Sequence, residues 1–395
     1  APPPGMALSE SVKQRARSLG FSPVGITTAD PFPEDEARML AWLAAGHQAG
    51  LGWMTPERQR RACRPEELLP GTRTLIVVAA AYADAQPASR PADGAPRGRV
   101  ARYARGVDYH DVMKARLREL AAYLESLAGP DGPPVRTRMF VDASPLVERA
   151  AAVRAGLGFI GKNTNLLTAD AGSWLLLGAI LTDLALDADR PVLRDCGQCR
   201  LCLDACPTGA LPAPYVLDAN RCISYLTIEH RGPIPDDLRP LIGDHVFGCD
   251  ICQEVCPWNR RTRVLPWPEF AGEPDAGAPA LADLLALDAD GFRRRYRSTP
   301  VARTKRRGLL RNAAVALGNV GGPADVPALG AALADDEPLV RAHAAWALGR
   351  IGSAEARRLL GEALESEGDD EVRAEIRAAL DASSGRPAGR ATEDG

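Results

Sequence analysis

Hydrophobic periodicity divides the first half of the chain into alternating helices and strands. Residues 7–20 carry apolar side chains at helical spacing, which predicts an amphipathic helix. Residues 74–82 are apolar almost without a break, as in a strand that is covered on both faces. Shorter apolar runs predict three further strands, at residues 21–28, 135–141 and 173–184. Helices that alternate with strands in this way predict an α/β or α+β domain.

The pattern changes in the last quarter of the chain, where a helical unit repeats. The sequence Ala-Leu-Gly-Asn-Val-Gly at residues 316–321 recurs as Ala-Leu-Gly-Arg-Ile-Gly at residues 347–352. Each unit reads as two short helices rich in Ala and Leu, the signature of HEAT-like repeats. One such pair cannot bury its apolar face alone, so we expect it to stack on the rest of the chain or on a partner.

Eight of the nine cysteines fall in one segment, which begins Cys-Gly-Gln-Cys-Arg-Leu-Cys-Leu-Asp-Ala-Cys-Pro at Cys196. Three thiols at three-residue spacing can cap three irons of one cubane, and a fourth before proline points toward a second cluster. This is the spacing of a bacterial-type ferredoxin with two [4Fe–4S] clusters, in which the last Cys of each half completes the other half's cluster. The predicted ligands are Cys196, Cys199, Cys202 and Cys256 for the first cluster, and Cys206, Cys222, Cys249 and Cys252 for the second.

Composition bears on the alternatives to iron–sulfur clusters. The chain of 395 residues is 46% hydrophobic and 25% charged, with no apolar run long enough to span a bilayer and no secretory signal at its start. Without an export signal we expect reduced cytosolic thiols, and a disulfide framework would spread its cysteines along the chain. Zinc also binds Cys-x2-Cys pairs, but three thiols at this spacing suit a cubane better. A free-standing electron carrier leaves the long α/β region before the cysteines unexplained.

Charge is unevenly distributed. The net charge of −3 predicts no general affinity for nucleic acid, so any such partner must meet a local basic patch. Arginine and lysine concentrate between residues 260 and 311, with Phe292 and Tyr296 interleaved, and we expect these rings to stack on unpaired bases. A charge run is usually only a solvated face, but this one interrupts an otherwise acidic chain. The predicted phosphate-binding residues are Arg293, Arg294, Arg295, Arg297, Lys305, Arg306 and Arg307, and Arg311 belongs to the same run.

Nucleotide-binding motifs do not account for the first domain. The segment Gly156-Leu-Gly-Phe-Ile-Gly161 has the glycine spacing of a dinucleotide-binding loop. It follows a predicted helix, however, whereas that loop follows a strand. A Walker A motif is also missing from the sequence.

Several segments together resemble the epoxyqueuosine reductases, the iron–sulfur and cobalamin enzymes that complete queuosine in tRNA. They are Arg-Tyr-Ala-Arg-Gly-Val-Asp-Tyr-His at residues 102–110, Val-Asp-Ala-Ser-Pro-Leu-Val-Glu-Arg at 141–149, Arg-Ala-Gly-Leu-Gly-Phe-Ile-Gly-Lys-Asn at 154–163 and Cys-Ile-Ser-Tyr-Leu-Thr at 222–227. The eight-cysteine pattern and the helical-repeat tail complete the match. The resemblance covers nearly the whole chain, in order, and is far more specific than the cysteines alone.

The resemblance implies a cobalamin bound base-off beside the first domain and reduced through the two clusters. The reaction it implies removes the epoxide oxygen of epoxyqueuosine at a tRNA wobble position, with two electrons and two protons, and gives queuosine and water. Reductive dehalogenases share clusters and cobalamin, but they carry an export signal and typically lack a helical-repeat tail. A second alternative is a non-catalytic relay protein whose clusters only shape a nucleic-acid-binding surface.

Asp142 matches the family's proton donor. Opening an epoxide leaves an alkoxide, so a positioned acid is needed. A helix N-terminus would lower the pKa of Asp142, and burial beside the corrin would raise it; the acid role requires burial to dominate. The alternative is that Asp142 caps the helix predicted to start near Ser144.

Other positions match the family's corrinoid contacts. The predicted cobalamin-binding residues are Arg61, Ala101, Asp142, Asn163, Leu166, Leu177, Ser224 and Asp250. An arginine and an asparagine suit the amide fringe and the phosphate of the nucleotide tail, although Arg61 also fits a solvated surface and Asn163 a turn. His110 follows Asp108 as in the lower-ligand motif Asp-x-His-x-x-Gly, but Met113 replaces the glycine, so His110 is not assigned to cobalt.

The predicted fold class is multidomain α+β: an α/β cobalamin-binding domain, a ferredoxin-like two-cluster domain and C-terminal HEAT-like repeats. The predicted parts are 7–190 for the first, 191–263 for the second with an insert at 223–248 toward the cobalamin site, 264–300 for a connector, 301–383 for the repeats and 384–395 for a disordered tail. We expect a cytoplasmic monomer without membrane segments. Its expected partners are tRNA and an external low-potential electron donor.

Overall fold

A computed structural model describes residues 4–82, 94–129, 132–142, 145–260 and 266–384. The predicted helix start at Ser144 and nearly all of the predicted tail lie outside these residues. The chain divides into two compact units. The first unit takes its residues from 1–87, 105–222 and 250–272, and the second from 88–104, 223–249 and 273–395. The five-part division made from the sequence stays a prediction.

The secondary structure alternates in the first unit and is mainly helical in the second. The strands are β1 (Val24–Thr28), β2 (Thr74–Ala81), β3 (Arg99–Val100), β4 (Thr137–Phe140), β5 (Phe159–Ile160), β6 (Leu166–Leu167), β7 (Leu175–Thr182) and β8 (His245–Phe247). The helices are α1 (Pro4–Ser18), α2 (Pro33–Ala44), α3 (Pro56–Ala62), α4 (Pro65–Leu68), α5 (Tyr109–Glu125), α6 (Glu148–Arg154), α7 (Leu201–Asp204), α8 (Ile223–Ile228), α9 (Ile251–Glu254), α10 (Leu281–Leu285), α11 (Ala289–Tyr296), α12 (Lys305–Val320), α13 (Val326–Ala332), α14 (Pro338–Ile351), α15 (Ala354–Ser366) and α16 (Asp370–Ser384).

A four-stranded sheet in the order β1-β2-β7-β4 forms the centre of the first unit. Every residue of β2 is buried, which confirms the strand predicted from the apolar run at 74–82. All three strand pairs are antiparallel, with Ile76 opposite Ile180 in the middle pair. A continuous apolar run is more typical of parallel sheets; here it arises because β2 is an inner strand with helices on both faces.

Alternate residues of β2 lie on opposite faces of that sheet. Leu75, Val77 and Ala79 share an apolar cluster with Ala151 and Ala152 of α6. Helix α5 contacts β4 and β7, and its buried residues present one apolar face. The sheet is therefore sandwiched between helices, and its antiparallel pairing makes the unit α+β.

Stacked helices fill the second unit. Helix α14 packs against both α12 and α16, and Gly318 of α12 and Gly349 of α14 mark the two crossings. A Cβ on Gly318 would lie 2.6 Å from the Trp346 ring, and one on Gly349 would lie 2.7 Å from Ala379 Cβ. These glycines occupy the same position of the predicted repeat, so the repeat sets the close approach of successive helices. Among the described residues, no helix has the length and hydropathy of a membrane span.

Candidate active site and cluster-binding segments

The two cysteine motifs adopt the same local backbone. Helix α7 starts after Arg200 (φ −129°, ψ 6°) and helix α9 after Asp250 (φ −107°, ψ 3°). They end at Ala205 (φ −82°, ψ −13°) and Val255 (φ −80°, ψ −11°), and the two helices pack on each other. This internal duplication is the one that the two-cluster spacing predicts.

The first set of thiols gathers in space across that duplication. Cys256 lies in one apolar cluster with Phe159 and Leu167, and Cys196 packs against the same cluster. Burial raises the pKa of Cys202, and the neighbouring Cys196 and Cys256 thiols raise it further. Cys256 thus lies with the first motif although its sequence position is in the second, as crossed ligation requires.

The cysteines show none of the pairing of a disulfide framework. All nine are among the described residues, and no disulfide joins any two of them. Among the described residues no three Cys, His, Asp or Glu side chains are placed around one metal-ion position. The complete ligand sets of the two clusters stay predictions, and Cys63 is buried outside both motifs.

The glycine-rich segment before the cysteines builds a tight hairpin of β5 and β6. A Cβ on Gly158 would lie 2.1 Å from Leu167 O, so only glycine permits this approach. The close approach of the backbone in this hairpin therefore accounts for glycine at position 158, without a dinucleotide-binding loop. Asn163 follows in the same hairpin, where it is buried and its side-chain amide donates to Cys252 O at 3.3 Å. Its predicted contact with cobalamin stays a prediction.

Polar side chains at the start of α5 lie close to Asp142 and form a polar cluster with it. The Tyr109 hydroxyl donates to Asp142 Oδ2 at 2.5 Å, and His110 Nε2 lies 3.7 Å from the same oxygen. His110 Nδ1 lies 2.8 Å from Asp108 Oδ1. Burial opposes ionisation of Asp108, but the hydrogen bonds from His110 outweigh it, and the pKa of Asp108 lies below its ordinary value. An ionised Asp108 fixes the proton on Nδ1 and turns Nε2 toward Asp142.

The backbone at Asp142 is bound by a second carboxyl group. Asp142 has a φ of 51°, a left-handed conformation that is uncommon for a residue with a side chain. Its N–H donates to Glu148 Oε1 at 3.0 Å. Helix α6 begins at Glu148 with Val147 as its N-cap. The alternative interpretation, in which Asp142 caps this helix, is therefore wrong.

Glu148 is the less exposed of these two carboxyl groups. The Asp142 side chain is 66% exposed, whereas burial, together with the charge of Asp142, raises the pKa of Glu148 to about 8. The burial of Asp142 beside a corrin, which the acid role requires, stays a prediction. Glu148 lies in the resembling segment 141–149, but no sequence pattern marks its contact with Asp142.

Three other predicted cobalamin residues of the first unit lie near the segments that flank Asp142. Strand β4 pairs with β7 as far as Phe140, which belongs to the apolar cluster under the sheet. Leu166 and Leu177 belong to the apolar cluster under the sheet. Val147 N donates to Ala62 O at 3.3 Å, so the exposed Arg61 is next to the same loop.

Three predicted cobalamin residues lie elsewhere. Ala101 and Ser224 belong to the second unit, where Ala101 is buried and Ser224 is half-buried in α8. Asp250 is buried in the first unit, where it precedes α9. Their contacts with a corrinoid stay predictions.

Comparison with known proteins places the whole chain. Residues 62–143 match the family described as epoxyqueuosine reductase QueG, residues 195–259 the 4Fe-4S double cluster binding domain, and residues 302–381 the HEAT repeats. The epoxyqueuosine reductase of Xanthomonas campestris is 44% identical over 345 residues, covering 86% of this chain and 95% of the relative. That of Escherichia coli is 40% identical, covering 86% and 89%.

The chain belongs to the epoxyqueuosine reductase family. A crystal structure of an epoxyqueuosine reductase with an epoxyqueuosine-modified tRNA-Tyr stem loop matches with a TM-score of 0.88 and 34% identity, covering 96% of this chain and 99% of that one. The Bacillus subtilis enzyme, solved with its catalytic aspartate loop swung out of the active site, matches with a TM-score of 0.87 and 34% identity, covering 95% and 99%. As a member of this family the chain is an oxidoreductase, and the predicted fold class is confirmed.

Among the described residues, the basic run of the second unit contains both free and paired cations. Four of its seven predicted residues are exposed and, within the part of the chain that the structure describes, have no carboxylate within ion-pair distance. They are Arg294, Arg297, Lys305 and Arg307. The other three are paired: Arg293 with Asp290, Arg295 with Asp275 at 3.3 Å and Arg306 with Asp335 at 2.5 Å.

Two expectations about this run are wrong. Phe292 and Tyr296 are 8% exposed each and belong to the core of the second unit, so they are not free to stack on bases. Arg311 is fully buried, and its guanidinium donates to the carbonyl oxygens of Leu226 and His230, among others. Burial lowers the pKa of Arg311 to about 9. Arg311 holds α12 to the segment after α8 and does not reach phosphate.

Glu148→Gln is expected to remove a pH dependence of stability. In the wild type Glu148 has a pKa of about 8 when folded and about 4.5 when unfolded. The unfolded state therefore loses this proton first as the pH rises, and stability falls between pH 4.5 and 8. The glutamine stays neutral and still accepts the Asp142 N–H. Relative to the wild type, the free energy of unfolding of the variant should thus rise by on the order of 1–3 kcal/mol from pH 5 to pH 8. Its Tm relative to wild type should rise in the same direction.

Glu66→Gln is the matched control for that measurement. Glu66 also accepts a backbone N–H, from Gly71 at 2.9 Å, but its side chain is exposed. Calorimetric Tm values of both variants and the wild type at pH 5 and pH 8 give the comparison. A Tm difference for Glu148→Gln that does not change with pH would show that Glu148 is ionised in the folded protein.

Proposed function

We propose that the chain reduces epoxyqueuosine to queuosine at the wobble position of tRNA. The observation that carries this proposal is the polar cluster at Asp142 in the same unit as the cysteine motifs Cys196–Cys206 and Cys252–Cys256. The reaction takes two electrons and two protons: two carbon–oxygen bonds break, a carbon–carbon double bond forms and the oxygen leaves as water. When bound, cobalamin and the two [4Fe–4S] clusters supply the electrons.

The chain's own residues supply and hold protons. An opened epoxide is an alkoxide, and Asp142, which a corrinoid bound beside it would bury, is the acid proposed to protonate it. The Tyr109 hydroxyl donates to Asp142 Oδ2 and is placed to return a proton to it, while His110 Nε2 lies 3.7 Å from the same oxygen. Glu148 fixes the Asp142 backbone in its left-handed conformation, so the carboxyl is aimed before substrate arrives.

The residues near Asp142 also fit a corrinoid. Leu166 and Leu177 belong to an apolar cluster with Phe140, which lies two residues before Asp142. The exposed Arg61 offers a cation for the phosphate of the nucleotide tail. The residues proposed to hold cobalamin are Arg61, Ala101, Asp142, Asn163, Leu166, Leu177, Ser224 and Asp250.

The tRNA is proposed to bind the basic surface of Arg294, Arg297, Lys305 and Arg307. These side chains keep their full charge for phosphate because no carboxylate pairs with them in the described residues. Arg293, Arg295 and Arg306 remain part of the proposed site, with weaker expected contributions because each has an acidic partner. We further propose a cytoplasmic monomer that takes electrons from an external low-potential donor.

A direct assay tests this function. The anaerobically reconstituted protein is incubated with cobalamin, a low-potential reductant and tRNA that contains epoxyqueuosine, and the nucleosides are analysed by mass spectrometry. Queuosine should replace epoxyqueuosine, at a rate that depends on cobalamin. Binding of iron without uptake of cobalamin, and no queuosine, would instead favour the non-catalytic relay protein.

Lys305→Ala/Arg307→Ala is expected to weaken tRNA binding by roughly 10–100-fold at moderate salt, because two phosphate contacts are lost. The slope of log K against log salt should become shallower by about 0.7–0.9 for each cation removed. Filter binding or fluorescence anisotropy with an anticodon stem loop measures both quantities. Arg377→Ala, which removes an exposed cation of α16 in the same unit, is the control. An unchanged slope in the double variant would exclude this surface.

A further inference from the structure

The hairpin turn between β5 and β6 contacts the first cysteine motif through Lys162. The Lys162 ammonium donates to Gly197 O at 2.7 Å and to Cys199 O at 2.9 Å. The backbone N–H of Lys162 donates to Cys196 Sγ at 3.4 Å. One residue therefore places a full positive charge and a sulfur-directed N–H at the segment that carries Cys196 and Cys199.

The next residue contacts the second motif without any charge. Asn163 is 4% exposed, and its Nδ2 donates to Cys252 O at 3.3 Å. Its Oδ1 accepts the Asn165 N–H at 3.3 Å, which fixes the orientation of the amide. Adjacent residues of one turn thus contact the two halves of the duplicated cysteine region. Lys162 does so with a charged ammonium and Asn163 with a neutral amide.

The turn itself is held rigidly. Gly161 N donates to Asn165 O at 2.8 Å, and Thr164 N donates to Gly161 O at 2.8 Å with Thr164 at a φ of 65°. Tyr215 N donates to Lys162 O at 3.0 Å from outside the hairpin. Closed on itself and anchored from a second segment, the turn can fix the spacing of the two motifs.

We propose that the Lys162–Asn163 pair positions the two cluster-binding segments and that Lys162 raises the reduction potential of the first cluster relative to the second. Reduction of a cluster adds negative charge, which a nearby ammonium and an N–H to a ligating sulfur stabilise. The ends of α7 and α9 have similar backbone conformations, whereas the Lys162 ammonium donates to carbonyl oxygens of the first motif. The proposal rests on the cluster ligation of the proposed function, and its test uses neither tRNA nor cobalamin.

Lys162→Met tests the charge. Cobalamin-free, reconstituted protein is titrated with a low-potential reductant while each cluster is followed by EPR. At a fixed potential the ratio of reduced to oxidised first cluster should fall on the order of tenfold, which is 59 mV for one electron. The second cluster should titrate as in the wild type, and iron should stay at about eight per chain, as for two four-iron clusters.

Three further variants separate charge from structure. Lys162→Arg keeps charge and donors and should titrate as the wild type, whereas Lys162→Gln keeps one donor without charge and should behave as Lys162→Met. Arg38→Met removes a cation of α2 that pairs with Glu34 at 3.0 Å, and it should move neither cluster. A Cys206→Ser protein, with the second cluster lost, identifies the signal of the first.

Asn163→Ala tests the second half of the proposal. It should release iron preferentially from the second cluster and leave the potential of the first unchanged. Equal shifts of both clusters in Lys162→Met, or wild-type potentials in Lys162→Gln, would overturn the charge role. If Lys162→Met loses the first cluster, the potential of that cluster is measured in Lys162→Gln instead. A wild-type potential in Lys162→Gln would mean that Lys162 has only a structural role. A failed tRNA assay with the expected potentials would contradict only the proposed reaction.

Discussion

Replacing Asp142 with asparagine is expected to lower kcat for queuosine formation by about 10²–10⁴-fold, the usual effect of losing a positioned general acid. Asparagine has the same shape and still accepts the hydrogen bond that the Tyr109 hydroxyl donates to Asp142 Oδ2. What it lacks is an acidic proton for the alkoxide. Because tRNA binding is assigned to other residues, KM should change little, and kcat should carry nearly the whole loss.

The measurement is single-turnover conversion of epoxyqueuosine tRNA, with iron content and cobalamin uptake determined on the same sample. Asp111→Asn is the matched control, since Asp111 is an exposed carboxylate in the first turn of the same helix α5. It should leave kcat unchanged. An Asp142→Asn enzyme with full kcat and normal cofactor content would mean that the proton comes from another group, and His110 would be the next to replace.

The sequence identified Asp142 but missed the residue that holds it. Asp142 was found through a segment matching a family, whereas the role of Glu148 depends on a left-handed backbone at position 142 and on burial. Neither property has a local sequence signature, because both depend on the contact between Glu148, the first residue of α6, and the backbone of Asp142. Tertiary packing decided which of two nearby carboxyl groups is less exposed and has the raised pKa.

Periodic features were predicted more successfully than isolated ones. The buried strand β2 and the repeat that contains Gly318 and Gly349 were both predictable because burial leaves a regular trace in the sequence. The error at Phe292 and Tyr296 came from weighing their charged neighbours above their spacing. Four residues apart, they form one face of a helix, and that face packs inward.

Arg311 illustrates a limit of a different kind. It lies in α12, most of which is buried on all sides, among apolar neighbours. Sequence charge alone assigns such a residue to the surface, since an arginine is rarely fully buried. Its burial is possible because carbonyl oxygens of another segment, Leu226 O and Gly232 O among them, accept its hydrogen bonds. Those partners are distant in sequence and belong to no motif.

Crossed ligation predicts the second large effect: Cys252→Ser and Cys256→Ser should lose different clusters, although the two cysteines are neighbours in one motif. Cys256 shares an apolar cluster with Cys196, so its replacement should abolish the first cluster. Replacement of Cys252 should abolish the second cluster. Iron should fall from about eight to about four per chain in each variant, because a cubane that lacks one thiolate is poorly retained.

EPR of the reduced variants distinguishes the clusters, with Cys206→Ser as the reference for loss of the second. Cys252→Ser should give the same spectrum as Cys206→Ser, and Cys256→Ser a different one. Cys63→Ser is the control: that thiol is buried outside both motifs, burial raises its pKa to about 12, and its loss should leave about eight irons. Identical spectra from Cys252→Ser and Cys256→Ser would mean that each motif binds its own cluster. The gathering of Cys256 with Cys196 and Cys202 argues for the crossed arrangement, because a thiol held against the first motif cannot also complete a cluster built on the second.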